Sequence, residues 1–185
     1  NQQFPSFQQV ANFKREYASA RRCRHPGVVQ PLALRQHGGR WTMLQEDTGG
    51  QALDQMLRAQ LAARQAPSQS ALALDDFFDI ALQLCAALEA VHLQGVIHKD
   101  INPANLVWNG DTRVLQLIDF GVACELTSEQ QGAATTRHLE GTLRYMAPEQ
   151  TGRMNRRLDQ RADFYALGVT FYELLAGQVP FEASD

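Results

Sequence analysis

Two short strings at a fixed separation constrain this chain more than its composition does. His98-Lys99-Asp100-Ile101-Asn102-Pro103-Ala104-Asn105 is followed, fourteen residues after Asn105, by Asp119-Phe120-Gly121. Short apolar runs, Leu106 to Trp108 and Val114 to Ile118, lie between them. Ala147-Pro148-Glu149 and the helix start Asp163-Phe164-Tyr165-Ala166-Leu167-Gly168 come later. Taken alone, an Asp-Phe-Gly reads as a strand end running into a turn. The order and spacing of all these strings together leave chance as a remote alternative.

The surrounding pattern predicts a small mixed part followed by a mainly helical one, with the boundary near Gly49-Gly50. Asn12 to Cys23 reads as an amphipathic helix, with Phe13, Tyr17 and Ala20 at helical spacing. Val28 to Arg35 and Trp41 to Glu46 read as an antiparallel pair turned at His37-Gly38-Gly39. Gln51 to Gln65 is helical by propensity, and a Pro-Ser-Gln-Ser loop follows. Over Asp75 to Gln94 the periodicity sets Phe78, Ala81, Leu82, Cys85, Leu88 and Val91 on a core-facing stripe. A strongly apolar helix from Arg161 to Ala176 ends at Gly177 and Pro180.

Composition excludes several classes. With 17 Lys plus Arg against 20 Asp plus Glu, the net charge of -3 gives no reason to expect a nucleic-acid partner. Three widely spaced cysteines without a CxxC pair suggest neither a disulfide framework nor a zinc site, and a reducing cytoplasm is the expected setting. No apolar run approaches the ~20 residues of a membrane span, so no direct membrane contact is expected. His92 and His98 are expected to pack and hydrogen-bond rather than bind metal.

The quoted strings resemble those of protein kinases, and the resemblance runs over essentially all 185 residues. It implies an α+β, bilobal protein kinase-like fold, truncated: residues 1–48 as a partial small lobe with antiparallel strands, helix C and hinge, and 49–185 as a partial, mainly helical large lobe. ATP and Mg²⁺ are the implied cofactors, and a protein Ser or Thr hydroxyl the implied acceptor. Asp100 matches the residue that takes the acceptor's proton. Asn102 is counted with it as catalytic. Asn105 and Asp119 match the metal ligands, hard oxygens of the kind Mg²⁺ prefers. Glu16, ten residues before Pro26, matches the helix C glutamate that pairs with an ATP-binding lysine, a residue expected upstream of this sequence together with the Gly-rich loop. Glu46 and Thr48 match the hinge that meets adenine, and Val107 is assigned to the nucleotide site with them. Asp163 resembles the residue that anchors the catalytic loop backbone, and Phe120 is expected to pack between the lobes.

Two positions depart from the family pattern. Lys99 stands where many kinases have Arg, which weakens the case for docking a phosphorylated activation loop. Asn102 stands where Ser/Thr kinases commonly carry a lysine that touches the transferring phosphate. Gly141-Thr142 resembles a segment favouring Ser/Thr specificity, and Thr127, Ser128, Thr135 and Thr136 are available hydroxyls. The catalytic string together with Pro148-Glu149-Gln150-Thr151-Gly152-Arg153-Met154-Asn155-Arg156 resembles a bacterial subgroup. In it a kinase module is fused to ATPase, GAF and histidine kinase domains. The expected activity is ATP-dependent Ser/Thr phosphorylation in bacterial signalling, with this stretch alone inactive and aggregation-prone. A nucleotide-binding pseudokinase module is the alternative, and a small-molecule phosphotransferase is disfavoured by the Ala147-Pro148-Glu149 segment.

Overall fold

A computed structural model describes residues 6–47, 49–63, 71–125, 143–151 and 158–181. The expectations for Thr48, the Pro-Ser-Gln-Ser loop, the hydroxyls between 127 and 136, Gly141-Thr142 and residues 152–156 lie outside them. The architecture is α+β, with helices around three small antiparallel sheets.

Helix α1 (Phe7–Arg22) starts five residues earlier than the apolar stripe predicts. Ser6 is the reason. Its Oγ accepts from the Gln9 N–H at 3.2 Å while its own N–H donates to Gln9 Oε1 at 2.7 Å, satisfying two donors that a helix start otherwise leaves open. Strands β1 (Pro31–His37) and β2 (Arg40–Gln45) pair antiparallel, closing at His37 opposite Arg40. Gly38 (φ 56°) and Gly39 (φ 78°) both take the left-handed conformation of a two-residue hairpin turn. Val28 and Val29, expected in the first strand, instead dock on Leu117. The Val29 N–H donates to Leu117 O at 3.0 Å, and the Leu117 N–H donates to Gly27 O at 2.8 Å.

The helix expected from Gln51 is preceded by a two-residue strand, β3 (Gln51–Ala52), and runs as α2 (Leu53–Ala63). Gly50 explains the difference. A Cβ there would lie 2.7 Å from Val107 Cγ1 and 2.9 Å from the Trp108 carbonyl. Only a glycine lets the chain run this close, and Gln51 and Ala52 then pair with Trp108 and Val107. Strands β5 (Leu106–Asn109) and β6 (Val114–Leu117) complete that sheet, while β4 (Val96–Ile97) pairs with β7 (Cys124–Glu125).

Helix α3 (Leu74–Leu93) corrects the predicted core stripe. Leu88 and Val91 are buried as predicted and Ala81 packs against the core, but Phe77, Ile80, Leu84 and Ala87 complete the buried face, whereas Phe78 is 57% and Leu82 71% exposed and Cys85 is exposed. Both stripes have helical spacing, because this helix is apolar around most of its circumference. Tertiary partners decide between them. Leu115 N–H donates to Gln83 Oε1 at 3.0 Å, Arg113 bonds Asp79 at 2.6 Å and Asp76 at 2.8 Å, and Phe77 meets Phe171 edge to face. These contacts turn the 77/80/84 face inward. Helix α4 (Arg161–Ala176) matches its predicted span and ends on left-handed Gly177, whose N–H reaches Glu173 O at 2.7 Å. One core joins α3, α4, β5 and β6, with Leu84, Leu88, Leu106, Leu115, Leu117, Ala166 and Leu174 among its members.

Candidate active site

The loop from His98 to Asn105 leaves β4 and enters β5 through a short 3₁₀ turn, Pro103–Asn105. It is anchored from below by Asp163 at the start of α4. That carboxylate is fully buried, and it accepts from the backbone N–H of His98 (2.9 Å) and of Lys99 (2.7 Å) and lies 2.8 Å from His92 Nε2. Lys99 has φ 70°, a left-handed conformation that costs a non-glycine residue on the order of 1 kcal/mol or more. Its other peptide group is held as well: Gln150 Nε2 donates to Lys99 O at 3.0 Å while Gln150 Oε1 accepts from the Ala147 N–H at 2.9 Å. The Ala147-Pro148-Glu149 segment is thereby tied to the loop.

Asp100 sits at the loop's centre, and two asparagine amides enclose it. Asn102 Nδ2 donates to Asp100 Oδ1 at 2.9 Å and lies 3.2 Å from the Asp100 carbonyl oxygen. Asn105 Nδ2 lies 2.8 Å from both Asp100 Oδ2 and the same carbonyl. Burial pushes the Asp100 carboxyl above the usual range, opposed by these hydrogen bonds. Both asparagines are buried.

Asp119 is exposed and left-handed (φ 64°), with its Oδ1 accepting from the Gly121 N–H at 2.9 Å. A Cβ on Gly121 would stand 2.9 Å from that oxygen and 3.6 Å from Glu16 Oε2, so Glu16 and Asp119 converge on this glycine. Burial, then the Asp119 charge, pushes the Glu16 carboxyl up to about 7. Phe120 is buried and packs edge to face on His98, ring centroids 4.8 Å apart. His98 Nε2 lies 3.2 Å from Ile118 O; a carbonyl only accepts, so the proton is on Nε2. Burial holds this imidazole below the ordinary histidine range.

The structure thus brings Asp100, Asn102 and Asn105 into direct contact and sets Asp119 beside Glu16. Among the described hydrogen bonds, those of Glu46 and Val107 run elsewhere: the Glu46 N–H donates to Gln30 O at 3.2 Å, and Val107 pairs with Ala52 and Gln116. Gln150 carries no sequence signal for its contact, because its partner is 51 residues away.

Metal chemistry fits this donor set. Among the described residues no group of three or more His, Cys, Asp or Glu side chains could hold an ion unaided. Mg²⁺ bound through phosphates needs only one or two protein oxygens. With its nitrogen committed to Asp100, Asn105 keeps Oδ1 as its remaining side-chain donor to a metal, and exposed Asp119 carries a carboxylate.

Residues 2–185 match the family described as the protein kinase domain. The chain belongs to that family. Among relatives of this kinase domain, the serine/threonine-protein kinase pkn3 of Myxococcus xanthus is 34% identical over 95% of this chain and 31% of the relative. The serine/threonine-protein kinase PknJ of Mycobacterium tuberculosis is 38% identical over 94% of this chain and 28% of the relative. Pkn1 of M. xanthus is 41% identical over 54% of this chain and 14% of that protein. The kinase domain sequence spans about a third or less of the length of these relatives. Among its described residues no helix is long and apolar enough to cross a membrane.

Proposed function

We propose that this domain transfers the γ-phosphoryl group of ATP to Ser or Thr hydroxyls of proteins in bacterial signalling. The supporting observation is Asp100 held open-handed by two amides within a loop that Asp163 and Gln150 anchor. In the transfer, the bond between the γ-phosphorus and its bridging oxygen to the β-phosphate breaks, the acceptor oxygen bonds that phosphorus, and ADP leaves. Asp100 orients the acceptor hydroxyl and takes its proton. Asn105 and Asp119 would hold Mg²⁺, which neutralises phosphate charge when bound. Residues 1–48 act as small lobe and hinge and 49–185 as large lobe, with Glu16, Glu46, Thr48 and Val107 on the nucleotide side. The setting is the cytoplasm, where ATP is supplied. Fused ATPase, GAF and histidine kinase domains rest on the subgroup strings alone, since the relatives' names speak only of serine/threonine kinases.

Two observations favour a nucleotide-binding pseudokinase as a second reading. Asn102 brings no positive charge to the site, and Lys99 lacks the guanidinium fork that docks a phosphorylated activation loop. The deciding experiment is phosphate transfer from Mg-ATP to a Ser/Thr peptide pool by the full-length natural protein and its Asp119→Ala variant. Transfer abolished by the substitution supports the kinase; nucleotide binding without transfer supports the pseudokinase.

A further inference from the structure

Asn102 differs from its neighbours in what its two amide atoms do. Its Oδ1 accepts from the Ala104 N–H at 3.0 Å, capping the 3₁₀ turn. That bond fixes the orientation of the amide, because an N–H can be met only by an acceptor, and it leaves Nδ2 facing Asp100. There the nitrogen spans the backbone carbonyl and one carboxylate oxygen of the same residue, at 3.2 and 2.9 Å. Asn105 does the same to the other carboxylate oxygen. Asp100 is thus gripped on both oxygens, and its side chain has no free rotation at χ2. Asn102 is 6% exposed, while Asp100 stays half-buried and open to an acceptor.

Resting on the kinase reading above, we propose that Asn102 is a positioning residue for Asp100. The site replaces a cation directed at phosphate by a neutral donor directed at the proton-accepting carboxylate. Positioning of this kind acts on turnover rather than on nucleotide affinity, because Asp100 meets the acceptor hydroxyl and not the nucleotide. Asn102 also has a purely structural duty as a cap, and the two roles separate by substitution. Serine keeps a side-chain oxygen suited to a cap. It is too short to reach Asp100 Oδ1.

The test compares the full-length protein with Asn102→Ser, reading kcat and KM for Mg-ATP on a Ser/Thr peptide together with thermal unfolding. The expected result is a kcat lowered about tenfold or more with KM for Mg-ATP within about twofold, and a melting point lowered by only ~2–4 °C. A kcat equal to that of the unmodified protein overturns the proposal. Should the unmodified protein transfer no phosphate, the kinase reading fails, and the clamp is still decided by unfolding in an Asp100→Ala background. With the carboxylate gone and only the Asp100 backbone carbonyl left to Nδ2, the melting shift caused by Asn102→Ser is expected to shrink. An undiminished, additive shift overturns the clamp.

Discussion

Asp163 Oδ1 accepts the backbone N–H of Lys99 at 2.7 Å, and the residue so held is left-handed. The helix α4 carboxylate therefore maintains a loop conformation that the lysine's own backbone preference opposes. Asp163→Asn keeps the shape but turns one acceptor into a donor facing a backbone N–H or His92. It should cost ~3 kcal/mol or more, by analogy with breaking a buried, charged hydrogen-bond network. Lys99→Gly should rescue part of this loss, since glycine takes φ 70° without strain. Chemical denaturation of the two single variants and the double checks both statements; equal losses in Asp163→Asn and in the double variant would refute the strain account.

A second prediction concerns which side of α3 carries the core. Leu84 is fully buried and Leu82 is 71% exposed, two residues apart. Leu84→Ala should cost ~2–5 kcal/mol through lost transfer energy and a cavity. Leu82→Gln should stay within about 0.5 kcal/mol. Denaturant midpoints at constant slope are the measurement, and a large loss in Leu82→Gln would restore the stripe that periodicity alone suggested.

That contrast marks how far the sequence could be read. Asp100, Asn105 and Asp119 could be picked out as candidates because the resemblance ties fixed residue types to short spacings, and the loop geometry brings the first two into contact. The α3 face was not, since a helix with apolar residues around most of its surface satisfies helical spacing at several rotations. Its orientation is set by Gln83, Arg113 and Phe171, all partners from other elements or facing them. Gln150 was illegible for the same reason, its amide meeting a carbonyl with no local pattern to announce it. At Asn102 the residue type was visible and read as a missing charge. The direction of its amide needed the structure.

Glu16 should make stability fall as pH rises. Its carboxyl titrates near 7 when folded and near 4.5 otherwise, through burial and then the Asp119 charge. Between these values the folded chain binds more protons than the unfolded one, so its stabilising share is complete below about 4.5 and lost as pH passes about 7. Glu16→Gln should flatten this slope and raise the melting point at pH 8 in metal-free buffer. Unfolding curves from pH 4.5 to 8 with chelator provide the check, and an unchanged slope in the variant would assign the effect to another group.

Two glycine-to-alanine changes should separate folding from function. At Gly50 the new Cβ would meet the Trp108 backbone at 2.9 Å, and strand atoms paired on both sides cannot give way. Gly50→Ala should therefore destabilise by ~1–3 kcal/mol through overpacking. At Gly121 the closest atom is Asp119 Oδ1, also at 2.9 Å, but it is the end of an exposed side chain that can rotate away. Stability should then change by less than about 1 kcal/mol, while the carboxylate proposed to hold Mg²⁺ is displaced. The expected signature is a KM for Mg-ATP raised about tenfold with a near-normal melting point, the loss of roughly one good metal-ligand contact's orientation. Gly50→Ala should show the reverse pattern, a lowered melting point with near-normal KM in the fraction that remains folded. Paired melting curves and nucleotide titrations on the two variants decide the matter. A Gly121→Ala variant with unchanged KM would remove Asp119 from the nucleotide site.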